Sequence, residues 1–499
     1  MATKWRMSSV LAVIVSFAVL MLGCGGGNKG ADGGSNGSNG TAPEVPRITF
    51  LSNINVDTEG YDVNDNPYIR YVEERNGIDL ELINESTNYE QKMYTVMASG
   101  DLPDFLVVNN KNDLMMFASQ GLLMPLDELL AEHPDFVAKF EPISWELAKW
   151  EGQIYGIPAQ RYDPTPLAAF ALRSWVEDAG IDPEQTLTID EYYAMLEKFA
   201  SRGEGTYGMT AMGEVDLTYN LFMDAFDAAK YQYIDGEVRP NYILDGYKEW
   251  LKFMNKLYAN KILDNEYIVN TGTQMWEKAA SGNYGMWQWF WSQIEFETAG
   301  GKREDIVALK PPKKADGTPG KYLYTSPVRH YVAITKNSKY AKEIIKLQEW
   351  ITSEEGIIYE FAGVEGLDYE LKDGEIVFKE GRAGKNAGWR NKTVGVMSPV
   401  ANETVQRLLA HSFGELAMQQ MGVALENGTF DEIKLLAPFF PELAGYDLDA
   451  MVKEFRDKAI IGQIDIDKEW DNFVREWRKA GGDRFIELHT EWYKEHYGK

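Results

Sequence analysis

The chain has 499 residues, 44% of them hydrophobic, enough to bury sizeable cores in two or three domain-sized units. Its 77 acidic residues against 50 basic ones leave a net charge of −27, and no Lys/Arg block of useful length interrupts the acidity, which argues against nucleic acid as a partner. The 14 Trp and 27 Tyr suit stacking surfaces, although large cores also use aromatics.

The N-terminus carries Lys4 and Arg6, an apolar run from Val10 to Leu22, then Gly23-Cys24. A short basic segment, an apolar core and a small residue before a cut site are the pattern of a secretory signal peptide over residues 1–23. As a helix the run reaches only about 20 Å against roughly 30 Å of hydrocarbon, so it reads as a removed segment and not a span. Cys24 is the only cysteine, and Met21-Leu22-Gly23-Cys24 resembles the lipobox of bacterial lipoproteins, with Met21 where Leu is usual and Leu22 where a small residue is usual. That resemblance implies a lipid on Cys24; the competing reading is a buried or incidental thiol, since one cysteine has no pairing partner within its chain. No later apolar run approaches eighteen residues.

Residues 25–46, rich in Gly, Ser and Asn, hold almost nothing that can be buried and predict a flexible tether with an end-to-end distance of roughly 25 Å. Structure is expected to begin at Arg47-Ile48-Thr49-Phe50-Leu51. Asn66-Pro67 then opens a helix with Ile69 and Val72 inward, Gly77 to Leu82 alternates as a strand, Tyr89 to Ser99 is helical, and Phe105 to Val108 is a short apolar strand ending at Asn109-Asn110. Strand, helix, strand, helix, strand predicts an α/β lobe with a largely parallel sheet, and ligands of such sheets lie beyond the strand C-termini, where Asn53, Asn109 and Asn110 fall.

Trp150 to Pro158 reads as a hairpin turning at glycine, and Leu167 to Leu172 as a strand after Pro164 and Pro166. Thr188 and Glu191 fit a capping box for a helix to Ala200. Tyr219 to Tyr258 predicts mainly helix. In Tyr284-Gly285-Met286-Trp287-Gln288-Trp289-Phe290-Trp291, period two puts Trp287, Trp289 and Trp291 on one strand face, either as core or as a row of flat faces suited to sugar rings. Pro327 to Ile334 is a further strand, Lys339 to Thr352 a helix, and Tyr369 to Phe378 a hairpin turning at Asp373-Gly374. From Val400 onward the chain reads as helices.

These stretches together resemble the extracellular solute-binding proteins of ABC importers, the large lipoprotein type of Gram-positive sugar uptake. The match rests on Ser99-Gly100-Asp101-Leu102-Pro103-Asp104, Glu151 to Pro158, Leu172-Arg173-Ser174-Trp175 with Gly180, Ser353-Glu354-Glu355-Gly356 with Gly363-Val364-Glu365-Gly366, and Ile461-Gly462 with Glu469-Trp470-Asp471, in that order. The resemblance implies a periplasmic-binding-protein-like α/β fold: two lobes joined by crossing strands around a ligand cleft. Residues 47–168 with 329–395 would form the N-terminal lobe and 169–328 with 396–499 the C-terminal lobe, with crossings near Pro166 to Leu172, Val328, and Val396 to Val400. Related alginate-binding proteins carry a calcium loop where this chain has only Ser201 to Thr206, so no metal is carried over.

The chemistry of enzymes is not evident. Asp62 to Glu73 has some EF-hand spacing, but Pro67 stands where the sharp turn demands Gly, and a helix cap explains it better. His489 and His496, seven apart on one helix, read as a solvated face before a metal site. No Walker A loop or HExxH motif appears, and no GxGxxG or GxSxG string stands between a predicted strand and a predicted helix, as a dinucleotide fingerprint or a nucleophile elbow requires. The expectation is a monomeric, non-enzymatic protein without cofactor, anchored through Cys24 to the outer face of the cytoplasmic membrane, passing an oligosaccharide to ABC permease subunits. The rival is a secreted glycoside hydrolase with a carboxylate pair. Expected ligand contacts are Trp287, Trp289, Trp291 and Trp389 for stacking, with Asn109, Asn110, Gln160, Arg161, Arg329 and His330 for hydroxyls.

Overall fold

The computed structural model describes residues 45–54, 60–85, 87–160, 167–382 and 402–498. Cys24, tether residues 25–44, Arg161, Trp389, Pro166 and the crossing expected near Val396 to Val400 lie outside the described residues. No helix among those described is long and apolar enough to cross a membrane.

Within Val45–Lys499, two sheets organise the described residues. Their strands, in chain order, are β1 (Arg47–Ser52), β2 (Asp79–Asn84), β3 (Phe105–Val108), β4 (Ile157–Gln160), β5 (Leu167–Leu172), β6 (Tyr207–Met209), β7 (Tyr284–Phe290), β8 (Ile306–Leu309) and β9 (Val328–Ile334). The first lobe's sheet has the order β2-β1-β3-β9-β4, the second's β8-β5-β7-β6. β1 runs parallel to β2 and β3, as the alternation with helices predicts, but β9 is antiparallel to both β3 and β4. The sheet is mixed because the chain leaves the lobe by β4 and returns, after building the second lobe, by β9.

Each sheet carries its own core. Ile48, Phe50, Phe105, Val332 and Ile344 are fully buried in the first; Phe170, Tyr192, Trp250, Met254 and Trp287 in the second. The helix Leu448–Ile460 and the two that follow it pack into the second core through Phe455, Trp470, Phe473, Trp477 and Ile486. The helix Glu403–Phe413 shares a third, smaller cluster with Ile357, Ala362, Tyr369 and Ile376.

Local chemistry sets the element ends. The Asn66 side chain accepts hydrogen bonds from the amides of Tyr68 (3.0 Å) and Ile69 (2.9 Å) ahead of Pro67, so the Asp62 to Glu73 stretch is a helix cap. Thr188 and Glu191 form the full capping box. Asp373 and Gly374 both take positive φ, the two-residue hairpin turn between Tyr369–Lys372 and Glu375–Phe378. Between Tyr219 and Tyr258 the expected helix gives way to 3-10 turns and a hairpin at Asp235-Gly236, and only Asp245–Ala259 is a regular α-helix.

Candidate functional site

Strand direction locates the cleft. β4 ends at Gln160 and β5 begins at Leu167, so the Gln160 end of the first sheet and the Leu167 end of the second both face the crossing. On the first sheet, Val328 pairs with Gln160, His330 with Ala159 and Tyr331 with Val108, which brings Asn109, Gln160, Arg329 and His330 to one edge. A register shift between Val328 and His330 puts Arg329 in a bulge, and the residue is exposed. On the second sheet, Phe290 pairs with Leu167 and Trp289 with Ala168. The last two residues of β7 therefore stand at the cleft end, and both are half-buried.

The expected row of three indoles is not present. Trp287 is fully buried, tilted against Phe296 with ring centroids 4.8 Å apart, and its Nε1 donates to Gln293 Oε1 at 2.9 Å. Trp291 is 1% exposed and lies beyond the strand's end, packed on Ala417 and Met421. The correction has a simple cause: the sheet is covered on both faces, so Met286, Trp287 and Gln288 are all buried regardless of parity. Trp289 differs only because it is near the end. Its ring packs edge-on against Trp276 (5.4 Å) and Phe290 (4.9 Å), and its Nε1 donates to Glu295 Oε2 at 3.2 Å. Gln288 bonds inward, accepting from the Leu221 amide and donating to Asn220 Oδ1.

Two polar expectations also change. Gln160 is buried; its Oε1 accepts from the Glu141 amide (2.8 Å) and Ser144 Oγ (3.1 Å), so its carbonyl end fixes the wall of the first lobe. Asn110 is a helix cap for Lys111–Ser119: its Oδ1 accepts from the Asp113 amide and its Nδ2 donates to Asp113 Oδ2 at 2.7 Å. Tyr94 donates to the other carboxylate oxygen at 2.8 Å; burial first, and then Asp113, push its hydroxyl up to about 12. Asn109, Arg329 and His330 stay at the cleft edge. Arg161 and Trp389 lie outside the described residues.

Lys111, not anticipated, ties the lobes together. Its Nζ donates to the carbonyls of Leu435 (2.6 Å) and Ala437 (2.5 Å), at the C-terminal end of the short helix Glu432–Leu436. That segment starts on the second lobe, where Asp431 Oδ2 accepts from the Tyr231 amide, and returns to it at Phe440 against His489. Between these points Leu435 and Leu436 pack on the first lobe's core. Burial without a carboxylate partner lowers the Lys111 ammonium to about 8. A single lysine after two asparagines carries no sequence signal for this role. His489 itself is buried, its pKa lowered to about 4 by that burial, so it is a core residue and not part of a solvated face. Among the described residues no cluster of three or more His, Cys, Asp or Glu could hold a metal.

A family model described as a bacterial extracellular solute-binding protein matches residues 61–358. Lipoprotein LipO of Bacillus subtilis (strain 168) is 24% identical over 425 residues, covering 80% of this chain and 83% of that protein. The polygalacturonan/rhamnogalacturonan-binding protein YtcQ of the same organism is 19% identical over 525 residues, covering 99% of this chain and 100% of its own. Among solved structures, the alginate-binding protein AlgQ2 without calcium ion superposes with a TM-score of 0.68 at 18% identity, over 91% of this chain and 99% of that one.

Proposed function

The chain belongs to the bacterial extracellular solute-binding proteins, and on that premise we propose that it captures a carbohydrate between its lobes, an oligosaccharide, and delivers it to the permease of an ABC importer. The observation that carries this reading is the pairing of opposites at the cleft. Trp289 and Phe290, half-buried, end the second sheet, while Asn109, Arg329 and His330 edge the first. Aromatic rings suit the apolar faces of sugar rings, and amide, guanidinium and imidazole groups suit hydroxyls. The names of YtcQ and AlgQ2, both carbohydrate binders, support the same class.

In this reading the ligand selects the closed arrangement because only there do both lobes touch it. Cys24 carries the lipid and residues 25–46 the leash, which keeps the body beside its permease; the similarity to a lipoprotein supports this placement. One acyl chain holds only marginally, so the anchor is the dual-chain type.

The test is calorimetry and thermal shift of the purified protein with trigalacturonate, an alginate trisaccharide and 1-kestose, followed by chromatography of the mixtures. Micromolar binding, about −8 kcal/mol, with the sugar recovered intact is expected. Release of shorter products would replace the binding reading with a hydrolase.

A further inference from the structure

Beyond Phe290 the chain makes a turn that is unusually well tied down. Gln293 is completely buried at φ 49°, a region that residues other than glycine seldom enter. Its Oε1 accepts from Trp287 Nε1, and its Nε2 donates to the Phe290 carbonyl at 2.7 Å. Arg303, also buried, donates to the carbonyls of Trp291 (3.2 Å) and Ser292 and to Gln420 Oε1 (3.1 Å), while pairing with Glu297 at 3.0 Å. The loop that follows the proposed stacking residues is therefore a rigid part of the second lobe.

Trp291 projects from this loop into neither main core. It packs with Ala417 and Met421 of the helix Glu415–Glu426, and edge-on against Phe413 with centroids 5.0 Å apart. The helix Glu415–Glu426 lies against β5 and β8 of the second lobe. Phe413 ends the helix Glu403–Phe413, which belongs to the first lobe's satellite cluster; Phe413 and Met418 pack against both clusters. Only Gly414 separates the two helices. Its φ of 80° and ψ of 163° lie in a region essentially restricted to glycine, while an added Cβ would meet nothing within 4 Å, so the demand for glycine is conformational and not spatial.

The two sides of the Trp291–Phe413 contact are thus fixed to different lobes, with a single glycine between the helix of Phe413 and the helix on which Trp291 packs. A relative rotation of the lobes has to reshape that contact. We infer that Gly414 is a hinge and that Trp291 is the wedge linking it to the ligand end of β7, so that occupancy beside Trp289 and Phe290 biases the lobe equilibrium through Trp291. The link to occupancy rests on the site proposed above; the wedge itself does not. Trp291 is a positioning residue here, one that does not touch the sugar.

The experiment places spin labels on the full chain carrying Cys24→Ala, at Lys92→Cys on the first lobe and Ala194→Cys on the second, both exposed. Distance distributions are read without sugar and with trigalacturonate or 1-kestose. Trp291→Ala should broaden the sugar-free distribution toward longer separations and weaken sugar binding about tenfold, whereas Trp291→Phe, which keeps a ring, should stay near the parent. A parental distribution for Trp291→Ala, with and without sugar, would overturn the inference. Should Trp291→Ala fail to fold, Gly414→Ala is read in the same way: an altered sugar-free distribution supports the hinge, an unaltered one removes it. If Trp289→Ala leaves sugar affinity intact, the site assignment fails, and the sugar-free distributions still decide the wedge.

Discussion

Trp287 and Trp289 stand two residues apart on one strand, and their burial sends them to different roles. Trp287 has its ring closed in and its Nε1 satisfied by Gln293, so Trp287→Ala removes a large buried side chain and should cost about 3–5 kcal/mol in chemical denaturation. Trp289→Ala, which removes a half-buried ring, should cost less stability than Trp287→Ala and weaken sugar binding by at least about 1 kcal/mol in calorimetry. The reverse pattern would show that the cleft lies elsewhere. His489 makes a prediction of opposite character. Burial lowers its pKa to about 4, so the imidazole stays neutral in the folded chain while the unfolded chain takes up a proton below about 6.5. Stability should fall as pH drops from about 6.5 toward 4, and His489→Phe should flatten that part of the melting-temperature profile.

At the scale of elements, the segment from Asp431 to Phe440 is a strap that crosses between lobes, and Lys111 is its pin. A lysine whose folded pKa is depressed to about 8 releases its proton in the folded state before the unfolded chain does near 10.4. Its contribution to stability therefore rises with pH between about 8 and 10. Lys111→Met should remove this alkaline rise, checked by melting temperatures across that window for parent and variant. Short-range elements were legible because their determinants are local. Asn66-Pro67, the Thr188/Glu191 box and Asp373-Gly374 each end an element by bonding or bending within a few residues. Trp291 was assigned to the wrong surroundings because period two holds only inside a strand, and β7 stops at Phe290.

For the whole molecule, two lobes with separate cores, joined through crossings and a strap, suit a body that closes on a ligand. Binding to the folded chain alone should raise its stability by about 2.7 kcal/mol at a ligand concentration one hundred times the dissociation constant, visible as a thermal shift. Anchoring and binding should separate: Cys24→Ala should leave the protein unanchored or unprocessed in cell fractionation while sugar affinity stays at the parental value. Normal membrane retention of that variant would refute the lipid assignment.

The α/β class, the helix ends, the hairpins and the family resemblance were all determined by the sequence itself, since each is written in residues near one another or in motifs kept in order along the chain. Tertiary structure decided the rest: that β9 returns antiparallel, that Trp287 and Trp291 are enclosed while Trp289 stands near the open end, that Gln160 and Asn110 bond into the first lobe, and that Lys111 reaches across to Leu435 and Ala437. The physical reason is common to these cases. Whether a side chain is core, cap or cleft depends on what covers it, and the covering groups come from segments as far away in sequence as residue 111 is from residue 435.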